Sequence, residues 1–231
     1  MRRIIIVCIA VVCLTKAFSQ KTKVVSDILT YQQVKALFPD TVCKRLGIVF
    51  PIFRVYAYAD NAGKYYCILS ESQNEVTADK DTFSHSIKAV NVRINNGSFI
   101  KLWEISDHIV RNDNDETSIW FWTKYIDFDD YDGDSLVEPV IIYGTWGING
   151  YGNGRIKFII YYKGRKVAIR HQNGDLDFER ETLVDKAFYQ LPSSLQAAIK
   201  QKMMLMEEDD HAIFPGGWQN AMLNKKTSFQ E

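Results

Sequence analysis

The chain has 231 residues, and its 28 basic side chains balance 28 acidic ones. That balance excludes the basic surface a nucleic-acid-binding domain needs. Hydrophobic residues make up 46% of the chain, enough for a core without staples, and the length fits one ordinary domain after a short leader.

The leader comes first. Arg2 and Arg3 precede the uncharged apolar run Ile4 to Leu14, and Ala17-Phe18-Ser19 reads as a small-x-small cleavage site. This is the layout of a secretory signal, expected over 1–19, with a mature domain over 20–231. The run is too short to span a bilayer, which needs roughly 20 residues, and no later stretch is long and apolar enough. Cys13 opens a lipoprotein reading, although Val12 before it is a poor small residue for that cleavage. Removing Arg2, Arg3 and Lys16 leaves 25 basic against 28 acidic residues, a net charge of −3. The mature protein keeps Cys43 and Cys67, which can form one disulfide in an oxidising compartment or remain two buried thiols.

Residues 30–38 read as a short helix. Thr30 and Gln33 form a capping box, Val34 and Leu37 an apolar face, and Pro39 a stop. Phe53 to Tyr58 and Lys64 to Ser70 flank Asp60-Asn61-Ala62-Gly63 as a hairpin. Ile87 to Ile94 and Ser98 to Ile105 repeat the arrangement around Asn95-Asn96-Gly97. Ile119 to Phe128 and Val140 to Thr145 are expected strands, and Arg155 to Tyr162 with Lys166 to His171 flank Lys163-Gly164-Arg165 as a third hairpin. Eight mostly antiparallel strands follow. A helix is expected over Phe178 to Tyr189. Pro192 opens a longer one, with Leu195, Ile199, Met203 and Met206 on one stripe, where methionine reads as core filler. A loop from His211 and a last helix over Trp218 to Lys225 complete the chain. The fold class expected is α+β: an antiparallel sheet of about eight strands, with a short N-terminal helix and C-terminal helices on one face or end.

The densest chemical signal lies between two strands. Asp130, Asp132, Asp134 and Glu138 stand at positions 1, 3, 5 and 9 of a tight loop, with Gly133 where the backbone must bend. Alternate acids aim several oxygens at one centre, and Ca²⁺ takes six to eight oxygens. An EF-hand would have Gly at its sixth position and Glu at its twelfth, where Ser135 and Ile141 stand instead. The pattern resembles the calcium loops of FG-GAP and integrin-type propeller blades, with Glu138 for the last Asp and Asp134-Ser135 where such loops more often read Asp-Gly. A single copy implies the loop chemistry and not the propeller. A solvated acidic turn is the plain alternative.

Other signals are weaker. The Gly-rich run Thr145 to Gly154 lacks the ending of a P-loop and does not open a helix, so it reads as a flexible strand connection. Trp146 and Tyr151 on it, or Trp120 and Trp122 if outward, could stack on a sugar ring. Arg170-His171-Gln172-Asn173 ends a strand with several donors, as a polar pocket would. His85, His108, His171 and His211 include no i, i+4 metal pair. No G-x-S-x-G elbow is present, and Cys43 and Cys67 lack the setting of a nucleophile.

Taken with the acidic loop, Ile119 to Tyr125, Ile141 to Thr145, Gly154 to Lys157, Ala168 to Gly174 and His211 to Pro215 resemble an exported Bacteroidetes family labelled surface polysaccharide biosynthesis protein. The resemblance implies a cell-envelope address, secreted or periplasmic and outer-membrane associated, and carries over no catalytic residues. The function expected is a non-enzymatic, calcium-stabilised envelope protein that handles a surface glycan or binds an envelope protein. The alternatives are a glycan-active enzyme using carboxylates near Asp130 to Glu138, or a structural interaction module.

Overall fold

A computed structural model describes residues 26–78, 81–110, 116–147 and 149–230. The expected signal, with Cys8 and Cys13, lies outside the described residues.

Two antiparallel sheets stack face to face and carry helices on their outer faces. The first runs in the order β1 (Asp27–Ile28), β2 (Ile52–Asp60), β3 (Gly63–Glu71), β6 (Ser86–Asn95), β7 (Ser98–His108). The second runs β14 (Ser228–Gln230), β13 (Glu181–Val184), β12 (Arg165–Gln172), β11 (Arg155–Tyr162), β10 (Glu138–Trp146), β8 (Ser118–Phe121), and β9 (Asp127–Asp129) also pairs with β10. A small pair, β4 (Glu75–Val76) with β5 (Thr82–Phe83), stands apart. The expected single sheet of about eight strands is therefore two larger sheets and a small one.

Alternation along the strands builds the layers. Tyr65, Cys67 and Leu69 of β3 point between the sheets, against Phe121, Ile141, Tyr143 and Ile159 from the second. Tyr66 and Ile68 point the other way, where α1 (Tyr31–Leu37) and α2 (Asp40–Leu46) cover them with Val34, Phe38 and Leu46. On the far face of the second sheet, Ile142, Phe158 and Ile169 meet α3 (Ser193–Glu208) and α4 (Trp218–Leu223). This covering on both faces is why β10 is buried at every position but its last. The α3 stripe of Leu195, Ile199, Met203 and Met206 is fully buried, each side chain contributing about 1.5–3 kcal/mol.

The three hairpins form where the sequence places them. Asn96 and Gly97 (φ 48° and 74°), and likewise Lys163 and Gly164 (φ 48° and 74°), adopt the paired left-handed turns that match strand twist. The Thr30 capping box forms as expected. Pro39 ends α1 but also caps α2, which closes on Gly47 in the left-handed region at φ 73°.

Several expectations are corrected. Ile119 to Phe128 is not one strand. Phe121 pairs with Tyr143 and Asp127 with Val140, so residues 122–126 face only 141–142, and the surplus turns out through Thr123 to Tyr125. Phe178 to Tyr189 is not a helix. Thr182 and Val184 are buried with strand periodicity, and β13 between two 3₁₀ turns supplies the partner β12 needs along its outer edge. The helices cover the two outer faces of a sandwich, not one face or end of a single sheet. Cys43 and Cys67 are both free. Cys43 sits on α2 outside the first sheet, Cys67 lies between the sheets, and the sheet itself separates them. Cys43 instead gives its thiol hydrogen to the Phe38 carbonyl at 3.2 Å. Burial pushes the Cys67 thiol well up, as expected of an inert core thiol.

Candidate functional site

The acidic loop joins β9 to β10, which pair through Glu138 and Asp129. Strand pairing at its base brings the ends of the loop together. One ligand atom from each of Asp130, Asp132, Asp134 and Glu138 lies within 4.8 Å of the others, so the four residues could hold a metal ion. At that separation each pair of like charges costs roughly 1–3 kcal/mol, between the dielectric of water and that near a protein surface.

The protein offsets part of this with its own donors. Asp130 accepts from the amides of Gly133 at 2.6 Å and Ser135 at 3.0 Å. Asp132 accepts from the Asp134 amide, Asp134 from the Leu136 amide, and Glu138 from the Tyr131 amide at 2.8 Å. The turn of the β11–β12 hairpin adds the Tyr162 hydroxyl on Asp132 and Lys163 on Asp134. Against the cost of burial, Lys163 holds Asp134 below the usual carboxylate range. Glu138 moves oppositely: burial, then the charges of Asp132, Asp134 and Asp130, push it up to about 7. A cation at the centre would act on these same repulsions with the opposite sign.

The loop also reaches the other sheet. The Val137 amide donates to Asp60 at 3.2 Å, and the Asn61 amide to the Ser135 carbonyl at 3.1 Å, both in the β2–β3 turn. The acidic loop thus meets two hairpin turns from opposite sheets.

Ser135 answers the departure noted in the sequence. It adopts φ 68°, the left-handed conformation a glycine would favour, while Gly133 beside it sits at φ 79°. Ser135→Gly keeps the amide that Asp130 accepts. It should stabilise the protein by about 1 kcal/mol in a calcium-free thermal melt, since only the β-carbon strain is removed. A lower melting temperature would show that the hydroxyl outweighs that strain.

The second group of candidates separates. Trp146 and Tyr151 meet, with ring centroids 4.8 Å apart and Trp146 40% exposed. They join Trp120, Trp122, Tyr125 and His211 in one aromatic cluster. The buried Trp122 Nε1 has no hydrogen-bond partner among the described residues. The Tyr125 hydroxyl donates to Asp209 at 2.5 Å and lies 2.6 Å from His211 Nδ1.

Arg170 and His171 point to opposite faces of β12. Arg170 pairs with Asp185 at 2.8 Å on the surface. His171 is buried with both ring nitrogens engaged, Nδ1 with Thr182 at 2.9 Å and Nε2 with Asn173 at 2.8 Å. They do not form one pocket. Asn173 continues the inner network to the carbonyls of Tyr151 and His211 and to the Ile213 amide.

The Gly-rich run is tied down. Gly147 and Gly150 exchange backbone hydrogen bonds, Tyr151–Asn153 is a 3₁₀ turn, and the Asn173 amide donates to the Gly154 carbonyl. The glycines here allow close packing. A β-carbon at Gly147 would stand 2.1 Å from Asn153 Oδ1, and one at Gly152 would stand 2.5 Å from Asp175 Oδ1.

Among the described residues no helix is long and apolar enough to cross a membrane. No protein-family model, curated protein or solved structure matches the chain.

Proposed function

We propose that this is an exported, non-enzymatic domain of the cell envelope, secreted or periplasmic and outer-membrane associated, in which calcium fixes the acidic loop, whose backbone links the two sheets. The observation that carries the reading is the convergence of Asp130, Asp132, Asp134 and Glu138 in a loop that hydrogen-bonds to both the β2–β3 and the β11–β12 turns. Oxygen-only ligands suit a hard cation, and an extracytoplasmic address suits a site of 10⁻⁴ to about 10⁻³ M affinity, since calcium outside the cytoplasm can fill it. A role in making or displaying surface polysaccharide rests on the family resemblance, and the exposed ring of Trp146 beside Tyr151 is compatible with a glycan ligand.

The test is a thermal melt of the purified protein in millimolar calcium and in chelator. Ligand linkage at that affinity gives about 1–2 kcal/mol, hence a rise of roughly 3–6 °C for a domain of this size. Asp132→Ala should abolish the calcium-dependent increment whatever it does to the baseline. Superimposable melts with calcium and chelator would remove the proposal.

A further inference from the structure

A recess of about 340 Å³ opens between the Gly-rich loop after β10 and the loop after β12. Its walls carry four carboxamides, Asn149, Asn153, Gln172 and Asn173, and two carboxylates, Asp175 and Glu179. We propose that this recess is a saccharide-binding site for a neutral or amino sugar. The proposal takes its ligand class from the glycan reading above but shares no residue with the acidic loop.

Asn173 is 2% exposed and fully engaged in the inner network, so it forms a fixed floor. The others are each held at one end. Asn149 Nδ2 donates to Asp175 Oδ2 at 2.9 Å, and Asn153 Oδ1 accepts from the Asn149 amide at 3.2 Å. Gln172 Nε2 donates to the carbonyls of Asn153 and Asn173, and Glu179 Oε2 accepts from the Leu176 amide at 3.0 Å. The opposite atoms, Asn149 Oδ1, Asn153 Nδ2, Gln172 Oε1, Asp175 Oδ1 and Glu179 Oε1, make no hydrogen bond to a described residue. These are four acceptors and one donor on the residues that line a concavity of the size small ligands occupy.

Sugar hydroxyls suit such a set, because each both donates and accepts and neighbouring hydroxyls can bridge an amide and a carboxylate. The same loop that supplies Asn149 and Asn153 carries the exposed Trp146 ring beside Tyr151, and an apolar sugar face can lie on such a ring. The fixed part of the wall is Asn173, buried and bonded to His171, Tyr151, His211 and Ile213. The described lining residues hold two carboxylates and no cation, and the neighbouring Arg180 is engaged by the Gly174 and Asp175 carbonyls and by Asp177, so the carboxylates set selectivity. They favour neutral or amino sugars and repel uronic and sialic acids.

The experiment is a calorimetric titration of the full protein with glucose, galactose, mannose, chitobiose, glucosamine and glucuronate, together with purified envelope polysaccharide, in calcium and in chelator. At least one neutral or amino sugar should bind, with glucuronate weaker by about tenfold or more. Asn149→Ala and Gln172→Ala should each weaken that binding about tenfold, the scale of one or two lost hydrogen bonds; the exposed Asn149 variant should melt near wild type, while Gln172→Ala, which also releases the Asn153 and Asn173 carbonyls, should melt lower. Polysaccharide binding that both variants leave unchanged would overturn the recess and keep the glycan reading. Absence of binding by every sugar and by the polysaccharide would overturn both, and equal affinity for glucuronate would overturn the selectivity argument and with it this site.

Discussion

Glu116→Ala should cost about 3–5 kcal/mol, the scale of breaking a buried ion pair from one side. Glu116 is 3% exposed and chelates Arg155 through Nε and Nη2. Its oxygens also accept from the Val110 amide at 2.6 Å and the Thr145 hydroxyl at 2.9 Å. Without it, Arg155 keeps Asp107 at 3.6 Å and the His108 carbonyl, while two further donors lose their acceptor. The network binds the end of β7 in the first sheet to β10 and β11 in the second. Urea denaturation should show the loss as a lowered midpoint with little change in slope. Removing Arg155 as well, as Glu116→Ala with Arg155→Met, should recover part of it, because no guanidinium is then left without the two Glu116 oxygens. A single-variant cost below about 1 kcal/mol would mean that water already satisfies Arg155.

The second large effect is on pH dependence. Burial lowers His171 from the ordinary 6.5 to about 4. Between those values the unfolded chain binds a proton that the folded protein refuses. The contribution is present above pH 6.5 and is lost as the pH falls toward 4, by about 3 kcal/mol in all. Glu71 works in the opposite sense. Burial, against the Phe121 amide and Arg54, raises it from 4.5 to about 7, so the folded protein holds a proton the unfolded chain has released, and stability falls as pH rises through that window. The wild-type profile mixes these two with Glu138, which is also raised to about 7, so the variants separate them. His171→Gln should be less stable than wild type at pH 8, and the gap should close or reverse by pH 4. Glu71→Gln retains an acceptor for Phe121 and should gain on wild type between pH 4.5 and pH 7. Parallel profiles for wild type and His171→Gln across pH 4 to 8 would show that the imidazole titrates normally.

Much of the fold was legible where local pattern is enough. Two-residue turns such as Asn96-Gly97 and Lys163-Gly164 specify hairpins, and the α3 stripe specifies a buried helix face. Which hairpins share a sheet is a long-range matter, and no local spacing carries it. Val140 to Tyr143 of β10 form an apolar run of the kind that strands covered on both faces carry. Cys67 shares strand parity with Tyr65 and Leu69, so its direction followed from the strand once the covered faces were known; cysteine count alone was silent on that. Two chain segments misled for opposite reasons. Residues 122–126 keep strand-like side chains but outnumber their partners on β10, and Glu181 to Val184 look helical until the open edge of β12 is seen.

The acidic loop was readable because its ligands fall on alternate residues of one turn. The recess was not, because Asn149 and Asn153 come from one loop and Asp175 and Glu179 from another, and only strand pairing between β11 and β12 brings them together. The amide-rich wording of Gln172-Asn173 and its neighbours was the available hint. It was read toward Arg170 and His171, which the strand alternation sends to opposite faces.

On the reading proposed above, Asp130, Asp132, Asp134 and Glu138 hold a cation within the loop that hydrogen-bonds to the turns of both sheets. Isothermal titration of the chelator-treated protein with calcium tests it most directly. One saturable site with a dissociation constant of roughly 0.1–1 mM is expected, absent in Asp132→Ala. A titration without binding heat across that range, in a protein whose melt also ignores calcium, would contradict it.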